Sequence, residues 1–462
     1  MAQATKNSTT RMVNAPFRLA DKSPEPNLEA HLFMETSFSD NVTVGTLSNL
    51  LKLITIDRPW SEMVSCLAIV KLGSCDEQLL KDKGSVHMLE HSVWAGTREF
   101  TEKEINAKII GSGGVLNAST SYHWTAYCIN SAAEDLAQSL EVLDSVLFRA
   151  TIDPIRLEKE KRVVLEEIGM YRSNPGTVAS TKAVEALFPG HNVRFPILGD
   201  AESVEGMTAT RLREYVRSFH RPQTMALMVS GKIPPRGELE EMLFEKAPGF
   251  AHKTRASNAT VLDRDFGDAT PGGSFVGEEV WADQHTSTTV NVFPVPPEIL
   301  SGPLRPKLRL LTTIIGGAPF ISMMHERIRE EDGLCYACGA STDILPDLGM
   351  VELYAQTGRA NVGMVDERIA GILTDVREGR IDADLISHCK NFWVSSMKSV
   401  RETNLSYAQF LGSQETFPED QRISPEEAIS IVRGTTVDDL VEVAEAIFST
   451  GSSTYRILDG GT

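Results

Sequence analysis

The stretch Val86-His-Met-Leu-Glu-His-Ser-Val-Trp-Ala-Gly-Thr97 contains His87, Glu90 and His91 in the spacing H-x-x-E-H. Its apolar neighbours, and the absence of Gly or Pro between the two histidines, predict a helix. Side chains four residues apart lie on one face of a helix, so His87 and His91 point the same way with Glu90 beside them. Two imidazoles so placed form half of a tetrahedral zinc site, and an adjacent carboxylate can accept a proton from bound water. The alternative is two unrelated histidines on a half-buried helix.

The composition is that of an ordinary globular protein. The chain has 462 residues, of which 41% are hydrophobic and 23% charged. This length is too great for one core, so we expect two or three domains. The net charge of -18 argues against nucleic acid or an anionic membrane surface as the main partner. No apolar run approaches the roughly 20 residues that span a bilayer, so no membrane association is expected.

The N-terminus and the cysteines bear on the compartment. The first residues lack the apolar segment of a secretory signal peptide. They are basic as far as Asp21, which leaves import into an organelle open. Six cysteines are scattered along the chain, and this pattern fits reduced thiols better than a disulfide framework. We therefore predict a cytoplasmic protein.

The order of strand-like and helix-like segments repeats along the chain. Residues 1–40 are polar and pattern-poor, which predicts an N-terminal extension. We predict a catalytic domain at 41–240, an interdomain linker rich in Pro, Gly, Ala and Ser at 241–280, and a second domain at 281–462. A strand, a helix, an Ile-Asp pair and another helix occur in both domains. The predicted fold class is α+β, with two homologous α/β domains, each a mostly antiparallel sheet covered by helices.

A third metal ligand is predicted on a helix of the first domain. Glu160, Val163, Val164 and Glu167 are spaced i, i+3, i+4 and i+7, so they share one helical face. The valines predict that this face meets the core, and buried carboxylates at its ends require a cation. We predict Glu167 as the ligand and Glu160 as an acid that orients a ligand. A solvated acidic helix is the alternative, and Glu166 lies about 120° round the helix from Glu160. The aligned positions of the second domain hold no acid: Cys389, Phe392, Trp393 and Ser396.

Together these residues resemble the pitrilysin/insulinase family of zinc peptidases, the inverzincins, which includes the mitochondrial processing peptidase. The family's pattern is H-x-x-E-H followed about 75 residues later by a Glu within an E-x-x-V-x-x-x-E helix, as at 160–167 here. Further matching segments are 73–77, 96–97, 117–120 and the R-x6-Y pair Arg329 and Tyr336. The resemblance covers residues 45–235 and 285–420.

The resemblance implies an activity and a set of site residues. It implies a zinc endopeptidase that hydrolyses short or unfolded peptides, with one Zn²⁺ held by His87, His91 and Glu167 and with Glu90 as general base. It implies two groups of substrate-binding residues, the strand Asn117, Ala118, Ser119 and Thr120 and the pair Arg329 and Tyr336. For three of these a structural role is the alternative: Asn117 as a turn residue, Arg329 as a surface arginine and Tyr336 as a core tyrosine.

The resemblance also implies an assembly. Two-domain chains of about this size form half of a clamshell, and two of them enclose a chamber in which the Arg/Tyr pair of one chain faces the metal of the other. Since this chain carries both halves of the site, we expect a homodimer, with a heterodimer containing a related zinc-free subunit as the alternative. Two other functions stay open, a non-catalytic structural subunit of a larger complex and a maturation protease dedicated to one precursor peptide.

Overall fold

The computed structural model describes residues 34–39, 41–77, 82–251 and 264–460. Most of the predicted extension at 1–40 therefore lies outside the described residues, and its last part, Met34–Ser39, is a strand. Residues 252–263 of the predicted linker also lie outside them. The described parts of that linker contribute helices to the first domain and a strand to the second sheet.

The first domain is a seven-stranded sheet with helices. Its strands run in the order β1-β2-β3-β7-β4-β6-β5. The strands are β1 (Met34–Ser39), β2 (Val42–Thr46), β3 (Lys52–Asp57), β4 (Met63–Val70), β5 (Val115–Thr120), β6 (Thr125–Ala132) and β7 (Met225–Gly231). The helices are α1 (Ser85–Val93), α2 (Glu102–Ile109), α3 (Leu136–Phe148), α4 (Pro154–Arg172), α5 (Pro175–Leu187), α6 (Ala201–Gly206), α7 (Ala209–Phe219), α8 (Arg236–Lys246) and α9 (Pro248–Ala251).

The second domain is a five-stranded sheet with its own helices. Its strands run in the order β10-β11-β9-β12-β8. The strands are β8 (Phe275–Trp281), β9 (Ser287–Val295), β10 (Cys335–Ile344), β11 (Gly349–Thr357) and β12 (Ser453–Asp459). The helices are α10 (Leu304–Thr312), α11 (Val362–Arg377), α12 (Ala383–Ser399), α13 (Asn404–Gln414), α14 (Pro425–Gly434) and α15 (Val437–Phe448).

The two sheets share one topology. The order β3-β7-β4-β6-β5 of the first sheet recurs as β8-β12-β9-β11-β10 in the second. In each sheet one pair is parallel, β3 with β7 and β8 with β12, and the other pairs are antiparallel. Asp153 and Asp382, from the repeated Ile-Asp pairs, both cap the helix that follows by accepting backbone N–H hydrogen bonds. The predicted α+β fold with two similar domains is confirmed.

One helix of each domain packs on the sheet of the other domain. Helix α5 packs on β9 and β12 of the second sheet, where Ala183 and Leu187 join a buried cluster with Val292. Helix α13 packs on β4 and β7 of the first sheet, and Tyr407 and Leu411 fill that interface. Strand β4 is therefore buried on both faces, as its continuous apolar sequence predicts. This exchange joins the two domains through apolar cores.

A buried histidine in the first domain makes its stability depend on pH. The His220 Nδ1–H donates to the Leu147 carbonyl oxygen at 2.8 Å, and the ring packs against Tyr127. Burial lowers the pKa of His220 to about 4, although the hydrogen bond to Leu147 opposes this change. The folded protein therefore holds His220 neutral at pH values where an unfolded chain would protonate it.

We expect acidification to destabilise the protein partly through His220. Below a pH of about 6.5 the unfolded chain binds a proton that the folded chain does not, so stability falls until about pH 4, by at most about 3 kcal/mol. In His220→Asn, which keeps a donor for the Leu147 carbonyl, this loss should shrink. Urea unfolding at about pH 7 and about pH 4.5 measures it. The exposed His285→Asn is the control, and an equal loss in both variants would contradict the expectation.

Candidate metal centre

Helix α1 is fixed at its start by a glycine and a buried acid. Gly84 has φ of +77°, and a Cβ atom there would lie 2.3 Å from the Leu198 carbonyl oxygen, so the position requires glycine. The Glu77 carboxylate accepts hydrogen bonds from the Gly84 N–H at 3.0 Å and the Val86 N–H at 2.9 Å. These contacts bind the otherwise unpaired N–H groups of the first turn and hold the helix in register.

The two histidines of α1 share one face, as predicted from their spacing. Their ring centroids are 4.7 Å apart, with the planes tilted by 66°. His87 is buried, whereas His91 is half-buried. Burial lowers the pKa of His87 to about 4, and the neighbouring His91 acts in the same direction. His87 is therefore neutral at physiological pH, and the neutral imidazole is the form that binds metal.

Helix α4 brings Glu167 to the histidines. Its Oε2 atom lies 3.7 Å from His87 Nε2 and 3.8 Å from His91 Nε2. Around an ion with bonds of about 2.05 Å, tetrahedral ligands lie about 3.4 Å apart, so these three atoms leave room for one ion. Across the described ranges, no other group of three His, Cys, Asp or Glu side chains comes together in this way. The donor set and the spacing fit a zinc ion.

Glu160 lies beside the same group. Its Oε2 atom is 3.5 Å from His91 Nδ1, the ring nitrogen that does not face Glu167. A carboxylate at this nitrogen favours the tautomer that presents Nε2 to a metal. The prediction that both valines of this helical face meet the core is wrong in part, because Val164 is buried whereas Val163 is 53% exposed. The part of helix α4 that contacts the core is therefore narrower than the helical face that carries Glu160 and Glu167.

Glu90 lies on the same turn as the histidines and touches the end of strand β5. The Thr120 hydroxyl donates to Glu90 Oε2 at 2.7 Å, so Oε1 stays available as an acceptor. Burial raises the pKa of the Glu90 carboxyl above its ordinary value, and the hydrogen bond from Thr120 opposes this rise. A carboxylate whose pKa is raised above its ordinary value is suited to take up and return a proton.

Strand β5 lies at the end of its sheet and, among the strands that the structure describes, pairs only with β6. Its outer edge therefore has unpaired N–H and C=O groups in the part of the chain that the structure describes. The side chains alternate, with Asn117 and Ser119 exposed and Ala118 and Thr120 half-buried. The Asn117 side chain accepts a hydrogen bond from the Ala118 N–H. Asn117 lies within the strand, so the turn that the sequence left as an alternative is not formed there.

The Arg329 and Tyr336 side chains lie in the second domain. Arg329 donates from Nη1 to His325 Nε2 at 2.9 Å, and its guanidinium lies 5.9 Å from the Phe320 ring. Tyr336 is 80% exposed at a bulge of β10, so it is not a core tyrosine. The described contacts of both residues stay within their own domain, and the structure does not bring them to His87 or Glu167.

Two supporting contacts were not predicted from the sequence. Glu77 belongs to the matching segment 73–77, but its role as the cap of α1 depends on the fold. The resemblance implies that Thr120 binds substrate, and its hydroxyl also contacts Glu90. The position of Thr120 as the last residue of β5 is the feature that could have indicated this contact.

The structure also bears on membrane association. Among the helices within the described ranges, none is long and apolar enough to cross a bilayer.

Comparison with known proteins places these observations in a family. Residues 52–201 match the family described as Insulinase (Peptidase family M16), and residues 206–392 match the Peptidase M16 inactive domain. An uncharacterized zinc protease of Rickettsia felis is 23% identical over 89% of this chain and 96% of its own length. The uncharacterized zinc protease YmxG of Bacillus subtilis is 25% identical over 84% of this chain and 92% of its own.

A solved structure shares the fold. A protease from Helicobacter pylori superimposes with a TM-score of 0.81 at 17% identity, covering 90% of this chain and 99% of that one. The resemblance stated from the sequence is therefore confirmed. His87, His91 and Glu167 all fall within the match to the peptidase domain, and Cys389, the counterpart of Glu160, falls within the match to the inactive domain. The chain belongs to peptidase family M16, the insulinase family.

Proposed function

We propose that the protein is a zinc-dependent endopeptidase that hydrolyses short or unfolded peptides. The observation that carries this proposal is the hydrogen bond between Thr120 and Glu90, because it joins the open edge of β5 to the carboxylate beside the metal-binding group. A peptide paired with that edge would pass Glu90 and the three ligands. The zinc protease names of the relatives support the same activity.

The residues of the site would have distinct roles in hydrolysis. A zinc ion held by His87, His91 and Glu167 would supply Lewis acidity and lower the pKa of a water molecule. Glu90 Oε1 would accept the proton of that water and then deliver it to the amine that leaves. Glu160 would hold the His91 ring in position through Nδ1.

The edge strand determines which substrates fit. Addition of a strand to β5 uses main-chain hydrogen bonds, which every extended peptide can form, and so tolerates many sequences. A folded protein cannot present an extended segment without local unfolding. We therefore expect cleavage of unstructured peptides and resistance of folded domains.

We propose a homodimer in which two chains enclose the chamber. Within the described residues, Arg329 and Tyr336 have no contact with the metal-binding group, and the exposed Phe320 and Tyr336 rings leave this surface open to a second chain. Arg329 and Tyr336 of one chain would then contact substrate at the metal of the other. A heterodimer with a related zinc-free subunit is the alternative, and the cytoplasm is the compartment we propose.

Mixing two inactive variants tests this arrangement. Glu90→Gln and Arg329→Gln should each be inactive alone. If arginine acts across the interface, mixed dimers contain one complete site, and exchange of subunits should restore about a quarter of the wild-type activity. No restored activity, with mixed dimers shown by native mass spectrometry, would place Arg329 in the same chain as its metal or outside the site.

The first test of the function is cleavage of a mixed set of unstructured peptides by the purified chain, read by mass spectrometry. Wild-type protein should cut them, and the zinc chelator phenanthroline should stop the reaction. A zinc-loaded protein that cuts none of them would support the alternatives, a structural subunit or a protease dedicated to one precursor peptide. A protein that takes up no zinc would overturn the proposal.

The hydroxyl of Thr120 should matter for the rate. Thr120→Val keeps the shape of the side chain but removes the hydrogen bond to Glu90, and loss of a bond to a charged group corresponds to about a tenfold fall in kcat/KM. Thr120→Ser keeps the hydroxyl and should stay within about threefold of wild type. Steady-state kinetics on a fluorogenic peptide distinguish the two, and equal rates would show that the contact has no catalytic effect.

A further inference from the structure

A cavity between the two domains lies beside the part of the second domain that corresponds to the metal-binding group of the first. In the first domain Thr120, at the end of β5, contacts Glu90. In the second, the Thr342 hydroxyl on β10 lies 2.7 Å from the Thr312 hydroxyl on α10. Strand β10 corresponds to β5 in sheet order, so Thr312 stands where Glu90 stands in the other domain.

The equivalence extends to the metal ligands. His87 lies three residues before Glu90, and His91 lies one residue after it. The residues at the same distances from Thr312 are Arg309 and Thr313, so these two correspond to His87 and His91. The Cys389 thiol contacts the Thr313 carbonyl at 4.0 Å, as Glu160 approaches His91 in the first domain. The counterpart of the metal group therefore holds an arginine in place of a histidine, and no acid takes the place of Glu167, because that position is Ser396.

The cavity beside Arg309 has a volume of about 290 Å³, at the lower end of the range for small-molecule sites. Its walls come from both domains. They are apolar and aromatic apart from a few polar groups, and the largest rings are Trp124, Trp393, Phe410 and Phe417. Two arginines, Arg305 and Arg309, line it, and none of the described lining residues is acidic.

The two arginines differ in how they are held. Arg305 is buried, donates to the Gln414 side chain and the Gln421 carbonyl, and stacks over Phe417. Arg309 is exposed along the cavity, and no described carboxylate lies within ion-pair distance of it, although Asp343 acts on it from farther away. Burial, and then the charge of Arg309, lowers the pKa of Arg305 to about 10.

We propose that this cavity binds the carboxylate of a small apolar acid, with Arg309 and Arg305 holding the anion and the aromatic walls holding the body. An arginine guanidinium matches a carboxylate with two parallel hydrogen bonds, and the charge-assisted bonds are strongest where water is excluded. Such a group occurs in a free carboxylic acid and at the C-terminal residue of a peptide. This binding does not depend on peptidase activity.

Binding of 3-phenylpropionate to wild-type protein tests the proposal, with its amide as the neutral match. Trp124 and Trp393 line the cavity, so tryptophan fluorescence reports occupancy. We expect the acid to bind at least about tenfold more tightly than the amide, because the amide loses a charge-assisted bond. Equal binding of acid and amide, or no binding of either, would overturn the proposal.

A variant pair locates the site. Arg309→Gln should weaken binding of the acid by about tenfold or more, whereas Arg433→Gln, an exposed arginine of α14 outside the cavity, should leave it unchanged. Wild-type affinity in Arg309→Gln would refute the assignment. If Arg309→Gln does not fold, the comparison of acid with amide on the wild type still decides.

Peptides distinguish the two sources of the carboxylate. In the Glu90→Gln protein, a short peptide ending in phenylalanine with a free carboxylate should displace 3-phenylpropionate, and its C-terminal amide should not, if peptide ends enter the cavity. If small carboxylic acids displace 3-phenylpropionate and the peptides do not, the same site binds a free acid.

Discussion

Replacing Glu90 with glutamine should slow peptide hydrolysis by about 1,000-fold while the protein keeps its metal and its thermal stability. Glutamine has nearly the shape of glutamate and can still contact the Thr120 hydroxyl, but it cannot accept a proton from water. The loss should appear in kcat, since the β5 edge that binds the peptide is unchanged. Kinetics on a fluorogenic peptide, with zinc measured by mass spectrometry, would show both results.

Glu166→Gln is the matched control for this experiment. Glu166 lies on α4 beside Glu167, carries the same charge and is exposed. Its replacement changes the net charge by the same amount as Glu90→Gln without touching the metal-binding group. Residual activity of Glu90→Gln above a tenth of wild type would rule out Glu90 as the general base.

The Glu167→Gln variant should lose its bound metal but keep the general base, Glu90. Outer contacts of metal ligands are worth about 10- to 100-fold in affinity, so removal of a direct ligand should weaken zinc binding by more than about 100-fold. The neutral amide cannot replace the charge of the carboxylate at this cation. Competition with a chelator of known zinc affinity measures the change, and peptide hydrolysis should fall with the bound zinc.

The thermal stability of the two variants should separate these effects. A metal that binds only the folded state stabilises it by about 2.7 kcal/mol at a concentration of 100 Kd. Added zinc should therefore raise the Tm of wild type, Glu90→Gln and Glu166→Gln, and have little effect on Glu167→Gln. An equal rise in Glu167→Gln would remove it from the ligand set.

Local geometry accounts for what the sequence predicted well. His87 and His91 share a face because helical spacing alone requires it, and Asp153 and Asp382 mark helix starts in both domains because capping is local. The sequence predicts Glu167 as a ligand because an acid on a helical face with apolar residues needs a partner. The same argument predicts burial of Val163, which is exposed, because a helix beside an open site buries less of that face than a helix in a closed core.

Tertiary arrangement accounts for what was missed. The apolar stripes of α5 and α13 predict burial but not against which sheet, and both helices pack on the sheet of the other domain. The contact between Thr120 and Glu90 joins residues 30 positions apart and depends on how α1 crosses the end of β5. Two segments of the described chain, Thr313–Gly317 and His325–Glu331, are π-helices, a form that residue spacing does not distinguish from an ordinary helix.

The exchange of α5 and α13 has a consequence for synthesis on the ribosome. The last strand of the first sheet, β7, leaves the ribosome about 180 residues before the end of α13, a delay of roughly 10 to 40 s at 5 to 20 residues per second. During that time Ile54, Leu67 and Met228 have no helix to cover them. The nascent chain thus carries an apolar sheet face in water, a surface that chaperones bind, and the first domain reaches its native packing only when the second is nearly complete.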